Sequence, residues 1–184
     1  MTPPAPHVRL HAWQSLTPAE RDAVAALRIS PAQVEFAGTT ARGIAACERG
    51  DLSQVAGLAI RADGAIVGWV LLKRGSALPG WAAADAAVVG GLRIDQRHQG
   101  HGLGTLAVVE LASWVGLHWP STARLMLRVD EDNAAGIRAY EKAGWREVGN
   151  RRTGRVGTER TMALALDAAS PDGRESAGPS KEPA

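Results

Sequence analysis

Apolar and polar residues alternate over His7–Trp13, with Val8, Leu10 and Ala12 on one side, which predicts a first strand. Thr17-Pro18-Ala19-Glu20 then reads as a capping box with proline at the first helical position, opening a helix through about Leu27. Ser30-Pro31-Ala32-Gln33 repeats the signal, but Gly38 and two threonines follow soon, so a turn or short helix is expected. A second full helix is expected over about Ala41–Glu48, ended by Gly50. Gln54–Arg61 and Ala65–Lys73 are apolar runs on either side of Asp63-Gly64, the residue pair that type I′ turns favour, and predict a hairpin. Ala83–Ile94 is a further strand, and Gly90-Gly91 inside it marks a bulge or a close backbone approach.

Leu103–His118 has helical length and composition and is stopped by Pro120. It is apolar almost all round, so much of it is expected to be buried. Arg124–Val129 predicts a short strand. Asn133 then caps a helix to Ala143, with Asp130, Glu131 and Asp132 at its positive end, Lys142 in its last turn and Gly144 as the left-handed stop. Arg146–Asn150 and Glu159–Leu166 complete the chain as strands joined by a basic loop, Arg151–Gly157. The order βααβββαβαββ predicts an α+β layer on one mixed sheet.

The length of 184 residues suits one domain. Residues 7–167 are expected to form it, between a flexible segment 1–6 and a tail, 168–184, whose Ser, Pro, Gly, Glu and Ala content predicts disorder. One cysteine, Cys47, excludes an internal disulfide framework, and its expected role is that of a small helix residue. No apolar run reaches the length of a membrane span and no leader pattern stands at the start, so a cytoplasmic protein without membrane contact is expected. The formal charge is +2, carried by 18 Arg and 3 Lys; residues 167–184 contribute −2, which leaves +4 on the rest. That is no dense basic stripe, and nucleic-acid binding is not expected. Such a balance favours an anionic ligand only where it is focused at one site.

Chemistry concentrates in Leu92-Arg93-Ile94-Asp95-Gln96-Arg97-His98-Gln99-Gly100-His101-Gly102-Leu103-Gly104-Thr105, a strand end, a glycine-rich loop and a helix start. Glycines at alternate positions strip the loop of side chains, so its amides can converge on an anion where the helix dipole adds favourable potential. The spacing fits neither a Walker loop nor the dinucleotide fingerprint. A second stretch follows about 35 residues on: a strand, an acidic turn, Asn133, and the helix ending Tyr140-Glu141-Lys142-Ala143-Gly144-Trp145.

Together these stretches resemble the GNAT superfamily of acetyl-coenzyme-A-dependent N-acetyltransferases. Gln99-Gly100-His101-Gly102-Leu103-Gly104 is similar to its Gln/Arg-x-x-Gly-x-Gly/Ala signature, and Tyr140–Trp145 to its Tyr-Glu-Lys-x-Gly-Phe ending, with Trp145 in place of Phe. The resemblance covers about residues 8–166 and implies the GNAT-like fold: a mixed, mostly antiparallel sheet of about seven strands with splayed central strands and four helices. It also implies acetyl-coenzyme A as co-substrate. The backbone of Leu92, Arg93 and Ile94 would pair with the pantetheine arm. The amides of Gln99, Gly100, His101, Gly102, Leu103, Gly104 and Thr105 would hold the pyrophosphate. Asn133 would contact the arm near the acetyl end, besides capping its helix. Tyr140 would protonate the departing thiolate, with packing against the cofactor as its plainer role.

The implied reaction is direct attack of an amine on the acetyl thioester, with a strand amide near Gly91–Arg93 polarising the carbonyl. An alkyl amine of pKa about 10.4 arrives protonated. Asp85 is the first candidate base and Glu35 the second; deprotonation through water, without a dedicated base, stands beside them. His98 and His101 lack acidic or thiol partners at ligand spacing, so no metal site is expected. A few positions look like the small-amine and polyamine branch of the family. Yet from the second helical signal to the turn after Gly50 the chain offers only Glu35, Glu48 and Asp51, where a polycation would want a cluster of carboxylates. A small-molecule primary amine is the expected acceptor. The alternatives are a protein or peptide acceptor, and a non-catalytic acyl-coenzyme-A-binding module. Either a monomer or a homodimer is compatible with the sequence.

Overall fold

The computed structural model describes residues 7–155 and 157–166; the expectations for segments 1–6 and 168–184 lie outside them. Strand β1 (Val8–Ala12) leads into helices α1 (Pro18–Ala25), α2 (Pro31–Ala37) and α3 (Thr40–Arg49). Strands β2 (Val55–Ala62), β3 (Ala65–Arg74) and β4 (Ala86–Ile94) follow, then helix α4 (Leu103–His118), β5 (Arg124–Asp130) and α5 (Ala134–Lys142). Strands β6 (Arg146–Glu147), β7 (Arg152–Thr153) and β8 (Thr158–Ala165) finish the described chain. This is the expected α+β architecture on one open, mostly antiparallel sheet, in the order β1-β2-β3-β4-β5-β8-β6, with β7 also on β8.

Local chemistry accounts for most of these elements. Thr17 and Glu20 form a complete capping box on α1, and Ser30 and Gln33 do the same on α2. The second box is strong enough to make Pro31–Ala37 a true helix, so five helical segments stand where four were expected. Asp63 and Gly64 have φ of 47° and 83°, both left-handed, as a type I′ hairpin requires. Gly144 (φ 87°) stops α5. Gly50 does not act in that way: its φ of −80° leaves α3 in an extended exit. The predicted loop 151–157 contains the short strand β7, because Arg152 and Thr153 find partners on β8.

Two apolar layers enclose the sheet. One packs α4 and α5 onto Leu58, Val70, Leu72, Val89, Leu125 and Leu127, closed at its ends by Trp119 and Trp145. The other sets Trp13, Val24 and Cys47 against Trp69 and Leu71. Helix α4 is less buried than its composition suggests. Leu103, Ala107, Val108, Leu111 and Val115 face the sheet, whereas Val109 and Leu117 are 50% and 79% exposed. One stripe suffices to cover the sheet, and nothing among the described residues covers the other side.

Two irregularities shape the sheet's centre. Strands β4 and β5 are parallel but pair only at Ala86–Arg124, Ala87–Leu125 and Val88–Met126, then part. On the other side of β4, the register with β3 runs from Trp69–Arg93 to Leu71–Gly90, so β4 carries one extra residue. This is the bulge expected from Gly90-Gly91, with Gly91 in the left-handed region at φ 60°.

Gly68 holds this bulged strand close. A Cβ there would press into the carbonyl oxygen of Arg93 and stand 2.9 Å from the Ile94 side chain. Backbone cannot swing aside as a side-chain end can. Gly68→Ala should therefore cost about 1–3 kcal/mol, the usual penalty of overpacking, read as a lower denaturation midpoint in urea.

Candidate active site

Parting β4 from β5 opens a cleft of about 350 Å³ between β4, α2, α5 and the start of α4. Leu92, Arg93 and Ile94 line it from β4; Gln99, Gly100, Gly102, Leu103, Gly104 and Thr105 from the loop and helix start; Asn133 and Tyr140 from α5. His101 does not line it: the ring is exposed and lies 3.4 Å from the His98 carbonyl, while His98 itself does line the cleft. Asp85 and Glu35 stay outside as well. Asp85 precedes the opposite end of β4 and is bonded to Arg124 at 2.8 Å, half exposed. Glu35 sits on the exposed side of α2, whose other side brings Gln33 and Phe36 to the cleft. The geometry therefore offers no carboxylate base at this cleft.

The loop has the backbone form its glycines suggest. Gly100 and Gly102 have φ of 82° and 76°, and Gly102 is the N-cap of α4 with no side chain to cap it. The first helical N–H groups, at Leu103–Thr105, consequently have no acceptor within the helix. They line the cleft and can receive an anion. Asn133 serves two ends at once: its Oδ1 accepts from the Gly136 amide at 3.0 Å, and its side chain borders the cleft. The Tyr140 ring packs 5.6 Å from that of Trp145, which is fully buried. Burial pushes the phenol up to about 12, so it stays protonated over the whole neutral range.

Asp95 received no role from sequence, and it organises the loop. Fully buried, its carboxylate accepts from the Arg28 amide (3.0 Å), the Arg97 amide (2.9 Å), and Nε and Nη2 of Arg97 (2.8 and 3.0 Å). The Arg97 side chain and these amides hold its pKa well below the usual carboxylate range, against the opposing effect of burial. The Gln99 side chain continues the scaffold, donating to the Ile94 carbonyl at 2.8 Å and to Gln33 Oε1 at 3.1 Å. An acid at the strand end, four residues before the Gln99-x-x-Gly102 run, is the one signal that could have singled out Asp95; its partner Arg28 lies 67 residues away and leaves none.

The arrangement suits a long ligand with an anionic end at the glycine loop and an apolar arm along β4. The acetyltransferase (GNAT) family matches residues 19–145, over two thirds of the chain, and the protein belongs to this acyltransferase family. Among curated proteins no sequence match is found. Solved structures resemble it in fold. An aminoglycoside acetyltransferase, AAC(6')-Ib, in complex with coenzyme A, superposes with TM-score 0.68 at 17% identity, covering 86% of this chain and 95% of that one. The ribosomal-protein-S18-alanine N-acetyltransferase from Escherichia coli gives 0.60 at 18% identity, covering 90% and 98%. The GNAT domain of S. lividans PAT gives 0.65 at 19% identity, covering 86% and 90%. Among the described residues no group of three or more His, Cys, Asp or Glu is placed to hold a metal, and no helix is long and apolar enough to cross a membrane.

Asp95 yields a test with a definite sign. Its folded-state pKa is depressed, so its stabilisation is full above the unfolded value of about 3.9 and is lost as pH falls through the lower folded value. Asp95→Asn cannot accept all of these bonds. It should destabilise by roughly 1.5–3 kcal/mol at pH 7, the worth of hydrogen bonds to a charged group. The gap between variant and parent should narrow below about pH 4, as thermal melts across pH would report.

Proposed function

We propose that the protein transfers an acetyl group from acetyl-coenzyme A to a primary amine of a small molecule. The observation that carries this reading is the continuity of one cleft, from the glycine loop at Gln99–Thr105, along Leu92–Ile94, to Tyr140 and Asn133. The pyrophosphate would sit on the loop amides, and the pantetheine arm would lie along β4 where β5 has departed, with its amides taking the ladder bonds that β5 leaves open. The aminoglycoside acetyltransferase of similar fold holds coenzyme A, which supports the same assignment.

The reaction follows from this placement. The amine lone pair attacks the thioester carbonyl carbon, and a backbone amide at the β4 bulge polarises the oxygen. A C–N bond forms, the C–S bond breaks, the amine loses a proton and the thiolate gains one. Tyr140 is the donor at the sulfur end. With its phenol near 12, it gives a hydrogen bond to the developing thiolate more readily than a free proton. The same desolvation raises the thiolate's own basicity from about 8.5, which brings the two closer. With Asp85 and Glu35 outside the cleft, the amine proton leaves through water.

Replacing Tyr140 by Phe keeps the ring and removes the hydroxyl. Coenzyme A affinity should stay unchanged, while kcat and kcat/KM fall together by about 10²-fold, the lower end of general-acid contributions. The parent should show no basic limb from Tyr140 below about pH 11, because the phenol titrates near 12. A rise in the cofactor's dissociation constant alone would make Tyr140 a packing residue. Gly102→Val tests the anion cradle. A β-branched residue in the left-handed region is strained, and coenzyme A should bind at least about tenfold more weakly by calorimetry.

A further inference from the structure

A second cavity of about 350 Å³ opens beyond the β4 bulge, between β3, β4 and α3. It meets the cofactor cleft at Ala37 and Arg93, the residues that line both. An amine approaching the thioester from the side away from the coenzyme would therefore occupy this space. Its lining has an unusual charge. Arg42, Lys73 and Arg93 contribute to it, and no aspartate or glutamate does. Among the described residues, none of these cations has a carboxylate oxygen within 4.0 Å.

Arg93 is the sharpest case, at 5% exposure. Its Nε donates to the Gly91 carbonyl (3.0 Å), Nη1 to the Gly38 carbonyl (3.0 Å) and Thr40 Oγ1 (3.2 Å), and Nη2 to the Ala37 carbonyl (2.8 Å). That uses four of its five N–H groups, leaving one on Nη2. Every partner is neutral, so the positive charge is solvated by dipoles and cancelled by nothing. Burial accordingly lowers the guanidinium to about 10. A second buried donor stands in the same wall: the indole N–H of Trp69, which has no partner and lies against Gly43. A buried charge without a counter-ion is costly, and a wall of cations and donors without a carboxylate is complementary to an anion. A polyamine would meet like charge here.

We propose that the acceptor amine also carries a carboxylate, as amino acids do, and that this carboxylate is held in the second cavity by Lys73, Arg42 and the remaining donor of Arg93. Lys73 lies opposite Val88, two residues along β4 from Gly90 and so about 7 Å from the bulge at the usual strand rise. The carboxylate end and the reacting amine of a short amino acid span that distance at most. This specificity rests on the acetyltransferase reading, and the tests separate the two.

Thiol release from acetyl-coenzyme A is measured with matched acceptors: amino acids, their carboxamides, their decarboxylated amines, a phosphate-bearing amine, and polyamines. The amino acids should lead in kcat/KM by about tenfold or more, the value of one charge-assisted contact. Lys73→Gln and Arg42→Gln should each erase most of that lead through KM, while coenzyme A affinity by calorimetry stays at the parent value. Both residues lie at the cavity's accessible side, and Arg42→Gln, on an exposed helix position, serves if the strand variant folds poorly. Equal or better turnover of carboxamides or polyamines would overturn the proposal and keep the acetyltransferase. Preference for the phosphate-bearing amine would overturn the carboxylate assignment. Amino acids that bind the coenzyme-A-loaded protein by thermal shift, with no acetylation, would support the cavity and overturn the transferase reading.

Discussion

The cleft of this molecule depends on a ladder that stops early. Strands β4 and β5 share three residue pairs and then diverge, although both continue for several residues. Unpaired backbone donors and acceptors are thus presented in the middle of a sheet, where water or a ligand must satisfy them. The glycine loop, α4 and α5 are arranged around that gap. The bulge at Gly91 sits where β4 leaves its regular register with β3, between the residues that pair with β5 and the residues that line the cleft.

Such a gap needs holding open from the opposite side, and two charged side chains do so by different means. Asp95 gathers amides and a guanidinium at the end of β4 and fixes the start of the loop. Arg93 spans from the bulge to the carbonyls that end α2 and thereby ties the early helices to the central strand. The first is an ion pair with one exposed partner. The second is a cation surrounded by carbonyl oxygens, a weaker compensation that leaves charge available to whatever enters the neighbouring cavity.

Local signals made much of this legible in the sequence. The capping boxes, Asp63-Gly64, the Gly90-Gly91 pair, the alternating glycines and Asn133 all work over a few residues, and each stands where it was expected. Eleven of the twelve residues assigned to the cofactor border a single cleft, His101 being the exception. Neither candidate base lines that cleft, for a reason of scale. Asp85 directly precedes β4, but a strand is long, and the residues of β4 that line the cleft are at its other end. From sequence, Arg93 has only a backbone role, because the Thr40 hydroxyl and the Gly38 and Ala37 carbonyls that claim its side chain are 53 to 56 residues away. Strand β7 and the exposed stripe of α4 likewise depend on which surfaces meet, information that no window of sequence contains.

Sheets ordinarily protect a free edge with charges, proline or a covering loop, because it can recruit a foreign strand. Here the vulnerable edge is internal, and on the proposed reading the coenzyme's arm is its natural cover. Ligand occupancy then becomes a folding parameter: the native state gains RT ln(1 + [L]/Kd) in free energy, roughly 2.7 kcal/mol at a hundredfold excess over Kd. The protein would be hardiest in a cell rich in the acyl donor, and most exposed to self-association or proteolysis when that metabolite runs low.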